Sequence, residues 1–146
     1  MVSFTAINRI FEKLEWPSRF RLLVHTVYKK DQVKAKIRVN GKLLDKACHI
    51  NTGTRQGIPL SPLIFAVVAD LFNMLVICNP DFTGHITGED TTSKISAFAD
   101  DTAVHLGTLR DIVIYREILL DYSAATGGIT NLAKSEAVLL GSWRQL

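Results

Sequence analysis

Charged residues and cysteines are scarce in this sequence, and each scarcity excludes a class of protein. Only 21% of the 146 residues are charged whereas 47% are hydrophobic, which excludes an intrinsically disordered chain. We expect one domain over residues 1–146, long enough to bury a core. The two cysteines, Cys48 and Cys78, lack metal-ligand spacing, which favours reduced thiols in an intracellular protein of the nucleus or cytoplasm.

Export signals and long apolar runs are also lacking. The N-terminus has no basic segment followed by an apolar run, so no secretory signal is predicted. The most apolar segment, Leu63–Cys78, is interrupted by Asp70 and Asn73 and is shorter than the ~20 residues that a bilayer span needs. We expect this segment to be a buried core helix, and no membrane partner.

Hydrophobic residues at helical spacing predict two further helices. The first runs from Ile7 to about Tyr28 and must break at Trp16-Pro17, because proline cannot continue a helix. The second runs from about Leu109 to Ala125 and ends at Thr126-Gly127-Gly128. Residues 137–140 are predicted to form a strand. Strands interleaved with helices indicate the α+β class.

Basic residues alternate with apolar ones in a segment that is typical of a β-hairpin. Lys34, Lys36 and Arg38 are separated by single apolar residues, and Asn40-Gly41 marks the turn into a second strand that ends near Ile50. The formal net charge is +3 and the isoelectric point about 9.0, which permits a nucleic-acid partner without requiring one. The cations could contact phosphates, or form an ordinary solvated face.

A glycine-bracketed loop follows this hairpin. Gly53 and Gly57 enclose Arg55-Gln56, and Ser61 is expected to be the N-cap of the next helix, with Pro62 at its first position. Such a loop can approach an anionic or planar ligand closely. By itself this pattern is a weak signal for binding, and a plain helix-entry loop is the alternative.

Two adjacent carboxylates, Asp100 and Asp101, lie between short apolar runs in the segment 95–106. This pattern predicts a hairpin with the acids at its tip. Two acids side by side repel each other, and a magnesium ion would offset that cost while leaving room for substrate phosphates. Taken alone, the pair is more typical of a solvated polar turn.

Three features occur in a fixed order: Arg55 to Pro62 (RQGIPLSP), Phe98-Ala99-Asp100-Asp101 (FADD), and Gly127 to Glu136 with its lysine. Together they resemble the palm of reverse transcriptases, most closely those of non-LTR (LINE-type) retrotransposons, over about residues 10–141. The resemblance implies an α+β palm-like antiparallel sheet with packed helices, with the fingers mostly missing and the thumb absent. It also implies an RNA template, a DNA primer and dNTP as partners, and no protein partner.

The resemblance assigns metal and proton chemistry to three residues. Asp100 and Asp101 match the carboxylates that hold two Mg²⁺ (or Mn²⁺) ions, which activate the primer 3′-hydroxyl and neutralise the triphosphate. Lys134 matches a lysine that gives a proton to the pyrophosphate leaving group, a role suited to a nearby cation. Without this resemblance, Lys134 would be interpreted as an ordinary surface lysine in a loop.

The resemblance also assigns the surroundings of the nucleotide. Gln56 and Gly57, with Arg55 beside them, match the loop that lines the incoming nucleotide and the template base. Ala99 matches the small residue beside the primer terminus, and Phe98 the aromatic residue before it.

One departure from the family concerns the third carboxylate, which two-metal polymerases carry on a strand before the first helix. Phe11 resembles the aromatic residue that screens the sugar 2′-hydroxyl, and Glu12 replaces the acid that follows it. Counting back five residues from Phe11 reaches Ala6, which cannot bind a metal. The resemblance therefore implies a partial RNA-directed DNA polymerase that is inactive as an isolated chain.

Two other functions are consistent with the sequence. One is a non-enzymatic nucleic-acid-binding remnant that uses Lys34, Lys36 and Arg38. The other is a different Mg²⁺-dependent phosphoryl-transfer enzyme, which would need a further acid such as Asp70, Asp111 or Glu136. No GxxxxGK[ST] loop supports the latter.

Overall fold

The computed structural model describes residues 2–54, 57–89, 91–98 and 101–141. The chain folds into four α-helices and six strands in this order: α1 (Phe4–Lys13), α2 (Ser18–Val27), β1 (Lys34–Val39), β2 (Lys42–His49), α3 (Leu60–Ile77), β3 (His85–Ile86), β4 (Thr92–Ser93), β5 (Ile95–Phe98), β6 (Asp101–Val104) and α4 (Leu109–Thr126). A short 3₁₀ helix, Leu132–Lys134, follows. In the described part of the chain, β1–β2, β3–β4 and β5–β6 form three antiparallel two-stranded sheets, which confirms the α+β class.

The predicted break at Trp16-Pro17 is confirmed. Ser3 caps α1, since its hydroxyl accepts the Ala6 N–H at 3.1 Å. After α1 the chain reverses through Glu15 at φ +53°, and Pro17 precedes the first residue of α2. Trp16 then folds back to pack edge-on against Phe11, with ring centroids 5.0 Å apart.

The basic hairpin is confirmed as β1 and β2. Lys34 pairs with His49 and Val39 with Lys42, around the Asn40-Gly41 turn. The register shifts between Lys36 and Arg38, a β-bulge that increases the local twist. Nearly every residue of both strands is exposed, so this hairpin lies on the surface.

A first hydrophobic core joins α1, α2 and the first half of α3. Its buried members include Phe4, Ile7, Val24, Tyr28 and Ile64. Phe4 meets Tyr28 edge to face with centroids 5.3 Å apart.

The predicted N-cap role of Ser61 is wrong. The helix begins at Leu60 with Pro59 as its N-cap, and Ser61 lies inside the first turn, buried. Its hydroxyl is 3.0 Å from the Tyr28 hydroxyl in the first core. This contact spans 33 positions, so a local capping rule could not anticipate it.

The expectation that Leu63–Cys78 is a buried core helix holds for one side only. Ile64 and Val68 lie in the first core and Val76 in a second, whereas the opposite side, with Leu63 and Met74, is exposed. By length and composition this 18-residue helix could cross a membrane, and 22% of it is buried inside the protein. It is the one such helix among the described residues, and core helices of soluble proteins meet the same criteria.

The second core anchors the acidic hairpin. Val76, Phe82, Ile114 and Ile118 form its buried part, and the half-buried Ile95 and Val104 pack against it. Since Ile95 and Val104 pair across β5 and β6, the base of the hairpin is fixed to α3 and α4. Lys94, just before β5, donates to the carbonyls of Ile77 at 3.1 Å and Asn79 at 2.9 Å, which ties the hairpin to the end of α3.

The C-terminal segment departs from prediction after α4. Gly127 ends the helix in the left-handed region at φ +74°, as the sequence predicts. The strand predicted at 137–140 is wrong, because these residues pair with no strand in the described part of the chain. Val138 is 74% exposed there. A strand needs a partner, and apolar β-formers alone do not create one.

Candidate active site

The acidic hairpin predicted from the sequence is present. Its strands pair in register from Ile95 opposite Val104 to Phe98 opposite Asp101. Asp101 is therefore the first residue of β6, at the turn end (the tip) of the hairpin. Residues 99 and 100 join the strands, and Ala99 and Asp100 both lie outside the described residues.

The two faces of this hairpin differ because side chains alternate along each strand. One face carries Ile95 and Val104, which pack on the second core. The other carries Phe98 and Asp101, and the Phe98 ring is 83% exposed. In the part of the chain that is described, no hydrogen bond or ion pair engages the Asp101 carboxylate. A shallow depression on the hairpin is bordered by Phe98, Asp101 and Ser96.

The glycine-bracketed loop forms a second shallow depression. It is lined by Thr54, Gly57, Ile58 and the start of α3 as far as Phe65. Gly57 has φ +83°, a left-handed conformation that explains the glycine. Arg55 and Gln56, which the sequence places at the tip of this loop, lie outside the described residues.

The remaining predicted cations are exposed. Lys134 ends the 3₁₀ helix after α4, and none of the described hydrogen bonds or ion pairs joins it to Asp101. Lys34, Lys36 and Arg38 are exposed along β1. The roles proposed for these four cations stay predictions.

A family model for reverse transcriptase (RNA-dependent DNA polymerase) matches residues 1–145. The chain belongs to the reverse transcriptase family. The match covers the acidic hairpin, the glycine-bracketed loop and the Lys134 segment together. Reverse transcriptases copy an RNA template onto a primer from dNTPs and generally use a divalent metal ion such as Mg²⁺.

In this reverse transcriptase chain the Phe11 side chain is buried, which does not support its predicted contact with the sugar of a nucleotide. The ring is 1% exposed and packs between Trp16 and Phe20, at centroid distances of 5.0 and 5.4 Å. Ala6 is buried in the same helix, α1, and not on a strand. The count from Phe11 to Ala6 therefore runs along a core helix, whereas the family motif has a strand at the carboxylate.

A metal ion at the hairpin would find one hard oxygen ligand among the described residues. The Asp101 carboxylate is exposed and unengaged there, as a Mg²⁺ ligand must be. Groups of three or more His, Cys, Asp or Glu side chains that could hold a metal do not occur in the described ranges. Asp101 thus fits part of a metal site, and the neighbouring Asp100 and substrate phosphates would have to complete it.

Asp111 is a buried carboxylate whose position sequence reasoning missed. It accepts backbone N–H groups from Thr83, Gly84, Gly107 and Thr108 at 2.8 to 3.2 Å. Burial alone would raise the pKa of Asp111, but the four backbone donors stabilise the ionised carboxylate and together lower the pKa by more than burial raises it. The pKa of Asp111 therefore lies below its ordinary value.

The spacing Thr108-x-x-Asp111 is a capping-box pattern, which the sequence does contain. One backbone N–H donates to Asp111 Oδ1 and three donate to Oδ2, so the structure makes this buried carboxylate a structural anchor and not a metal ligand. It holds the chain before β3 and the chain after β6 against the start of α4. The acidic hairpin lies between these two tied segments.

Proposed function

We propose that this chain supplies the acidic hairpin of a non-LTR-type reverse transcriptase, where nucleotidyl transfer to a primer 3′-hydroxyl takes place. The observation that carries the proposal is the position of Asp101. Its exposed carboxylate lies beside the exposed Phe98 ring at the tip of a hairpin whose base is anchored in the second core. A rigid base with an accessible acidic tip suits a site where metal and substrate must be positioned precisely.

Each side chain contributes a separate part of this chemistry. Divalent ions at such a site activate the primer hydroxyl and neutralise charge on the triphosphate. Asp101, with Asp100, would hold them, and Phe98 offers an aromatic face beside the primer end. Gly57 lets the loop backbone approach a nucleotide closely, because no side chain intervenes. Lys134 would give its proton to the pyrophosphate.

We further propose that the isolated chain binds primer–template and dNTP without extending the primer. Two-metal transfer requires more oxygen ligands than one or two adjacent acids supply. Asp100 and Asp101 are two adjacent acids, and groups of three or more His, Cys, Asp or Glu side chains that could hold a metal do not occur among the described residues. What supports the proposal is this small set of carboxylates, since the count from Phe11 to Ala6 runs along a core helix and not along the strand of the family motif.

The test uses the full 146-residue chain and its Asp101→Asn variant. Retention of labelled dNTP by the complex of protein and primer–template duplex is measured with and without Mg²⁺ or Mn²⁺. Primer extension is followed on a gel. We expect metal-dependent dNTP retention that Asp101→Asn abolishes, and no extension. Asp121→Asn, an exposed acid on α4, is the control. Retention that needs no metal, or that Asp101→Asn leaves intact, would refute the role of the hairpin. Robust extension would refute the inactivity.

A second candidate function, non-enzymatic nucleic-acid binding, is favoured by the basic hairpin. Lys34, Lys36 and Arg38 are all exposed on a strand that has few contacts with the rest of the fold. Backbone phosphates would bind such a surface without metal and with little dependence on sequence. Duplex binding that persists with chelator present, without dNTP retention, would select this function over the first.

A further inference from the structure

A serine and a histidine meet across the acidic hairpin, on the face that carries Asp101. Ser96 Oγ lies 3.0 Å from His105 Nε2, although the two residues are nine positions apart. His105 directly follows β6. Its backbone N–H donates to the Lys94 carbonyl at 2.9 Å, which extends the backbone hydrogen bonding of the hairpin by one step. The histidine backbone is therefore fixed by the same ladder as the strands.

Strand alternation decides where this pair points. Ser96 pairs with Ala103, and Phe98 pairs with Asp101 two residues further along. Residues two apart share a face, so Ser96, Phe98, Asp101 and Ala103 lie together, opposite the face that packs on the second core. The pair thus continues the surface of the proposed active site, away from its tip.

Ala103 lies between the Ser96–His105 pair and the acidic tip. Because its side chain is a single methyl group, it projects little above this face of the hairpin. Ala103 lies opposite Ser96 on β6, and its methyl group is too short to cover the serine hydroxyl. Ser96 is exposed and His105 half-buried. A ligand that lies along this face from Asp101 would reach Ser96 after crossing Ala103.

The hydrogen-bonding capacity of the pair suits an anion. When the imidazole carries its proton on Nε2, that N–H donates to Ser96 Oγ and leaves the serine O–H free to donate outward. A phosphate oxygen accepts such a donor. Hydroxyl groups of serine are common partners of nucleic-acid phosphates, which they position without reading sequence.

We propose that Ser96, oriented by His105, binds a backbone phosphate of the primer–template several ångströms upstream of the primer end. The inference rests on the proposed function, since it needs the primer end to lie at Asp101. Ser96 pairs with Ala103, two residues of strand from Asp101, which is about 7 Å at the usual rise of about 3.3 Å per residue. Since the triphosphate of a dNTP would be held at the tip itself, a phosphate displaced this far toward the base of the hairpin belongs to the nucleic-acid backbone. His105 is a positioning residue, because it acts through the serine.

The test compares affinities for two sources of phosphate. Duplex affinity is measured by fluorescence anisotropy with a labelled primer–template, and dNTP affinity by retention on the saturated duplex with Mg²⁺. We expect Ser96→Ala to raise the Kd for duplex about five- to tenfold, the usual worth of one uncharged hydrogen bond. The dNTP affinity, the unfolding midpoint and the salt dependence of duplex binding should all stay unchanged, because no counterion is released by a neutral hydroxyl.

Conservative variants separate this role from a merely structural one. Ser96→Thr keeps the hydroxyl and should restore duplex affinity, and His105→Gln, which retains a side-chain N–H donor, should weaken binding less than His105→Ala. Thr92→Ala, which removes an exposed hydroxyl from the neighbouring β4, is the matched control.

Four outcomes would overturn the inference. If the wild-type chain binds duplex and Ser96→Ala binds it equally well, the inference fails while the proposed function stands. If Ser96→Ala weakens dNTP retention but not duplex binding, the phosphate at this pair belongs to the nucleotide. If Ser96→Ala lowers the unfolding midpoint in step with duplex affinity, the Ser96–His105 hydrogen bond only stabilises the hairpin. If the wild-type chain binds neither duplex nor dNTP, the proposed function fails and the inference fails with it.

Discussion

The backbone N–H of Thr83 donates to Asp111 Oδ1 at 2.8 Å across 28 positions of sequence. The other carboxylate oxygen of Asp111 accepts the Gly107 N–H, also at 2.8 Å. One buried side chain at the start of α4 thus fixes the chain on both sides of the acidic hairpin. This explains how a short two-stranded sheet, which is marginal alone, can be held in place against α4.

Replacing this anchor should destabilise the whole fold. Asp111→Ala leaves four backbone donors without their acceptor, and we expect a loss of about 2–4 kcal/mol in the free energy of unfolding. Urea denaturation followed by circular dichroism measures it. Asp121→Ala removes an exposed acid from the same helix and should change the unfolding free energy by less than about 0.5 kcal/mol. Equal losses in the two variants would show that the Asp111 bonds are energetically unimportant.

The stabilisation by Asp111 should depend on pH in a defined direction. Its pKa in the folded protein lies below the ordinary value of 3.8, because the backbone donors outweigh the effect of burial. The unfolded chain therefore binds a proton that the folded protein does not, and stability is lost as pH falls from about 4 through the folded pKa. Unfolding free energies of the wild type and Asp111→Ala should converge over that range. A gap that stays constant from neutral pH to pH ~2.5 would contradict this linkage.

Two phenylalanines that the sequence assigns to the same nucleotide site should behave oppositely. Phe11 is buried among Trp16 and Phe20, so Phe11→Ala should cost about 3–5 kcal/mol of stability. Phe98 is 83% exposed, and Phe98→Ala should leave stability within about 0.5 kcal/mol. If Phe98 stacks on a primer base, its loss should weaken duplex binding by about 1–3 kcal/mol.

Urea denaturation and duplex anisotropy on both variants measure these effects. The contrast fails if Phe11→Ala folds with near wild-type stability and selectively loses dNTP affinity. That result would return the Phe11 ring to the nucleotide site.

Local signals in the sequence predicted the elements that depend on local geometry. The Asn40-Gly41 turn, with alternating residues on both sides, correctly predicted β1 and β2. Gly127 correctly predicted the end of α4. The acidic hairpin was predicted from two apolar runs around Asp100 and Asp101, and the structure supplies its register.

Errors arose where a distant partner decides the outcome. Ser61 has the sequence of an N-cap, but its hydroxyl meets Tyr28 in the core. Residues 137–140 have strand propensity but pair with no described strand. The role of Phe11 in the nucleotide site stays a prediction, and its ring packs against Trp16. The elements of the fold were predicted best where the sequence alone sets a tight turn, as at Asn40-Gly41, and worst where core packing competes, as at Ser61.

The basic hairpin offers a prediction that depends on charge alone. Lys34, Lys36 and Arg38 are exposed on β1, and each phosphate that they neutralise releases counterions. Replacing all three with Gln should reduce the slope of log affinity against log salt by about 2–3, at about 0.7–0.9 per contact. Anisotropy titrations of a duplex between about 50 and 200 mM salt measure the slope.

The matched control for the basic hairpin removes the same charge elsewhere. Arg9→Gln, Lys13→Gln and Arg116→Gln together change three exposed cations of α1 and α4. Because counterion release requires contact with phosphate, this control should leave the slope near that of the wild type. If the two triple variants reduce the slope equally, binding follows net charge and the hairpin is no specific contact. If only the hairpin variant reduces it, the β1 cations lie against the nucleic-acid backbone.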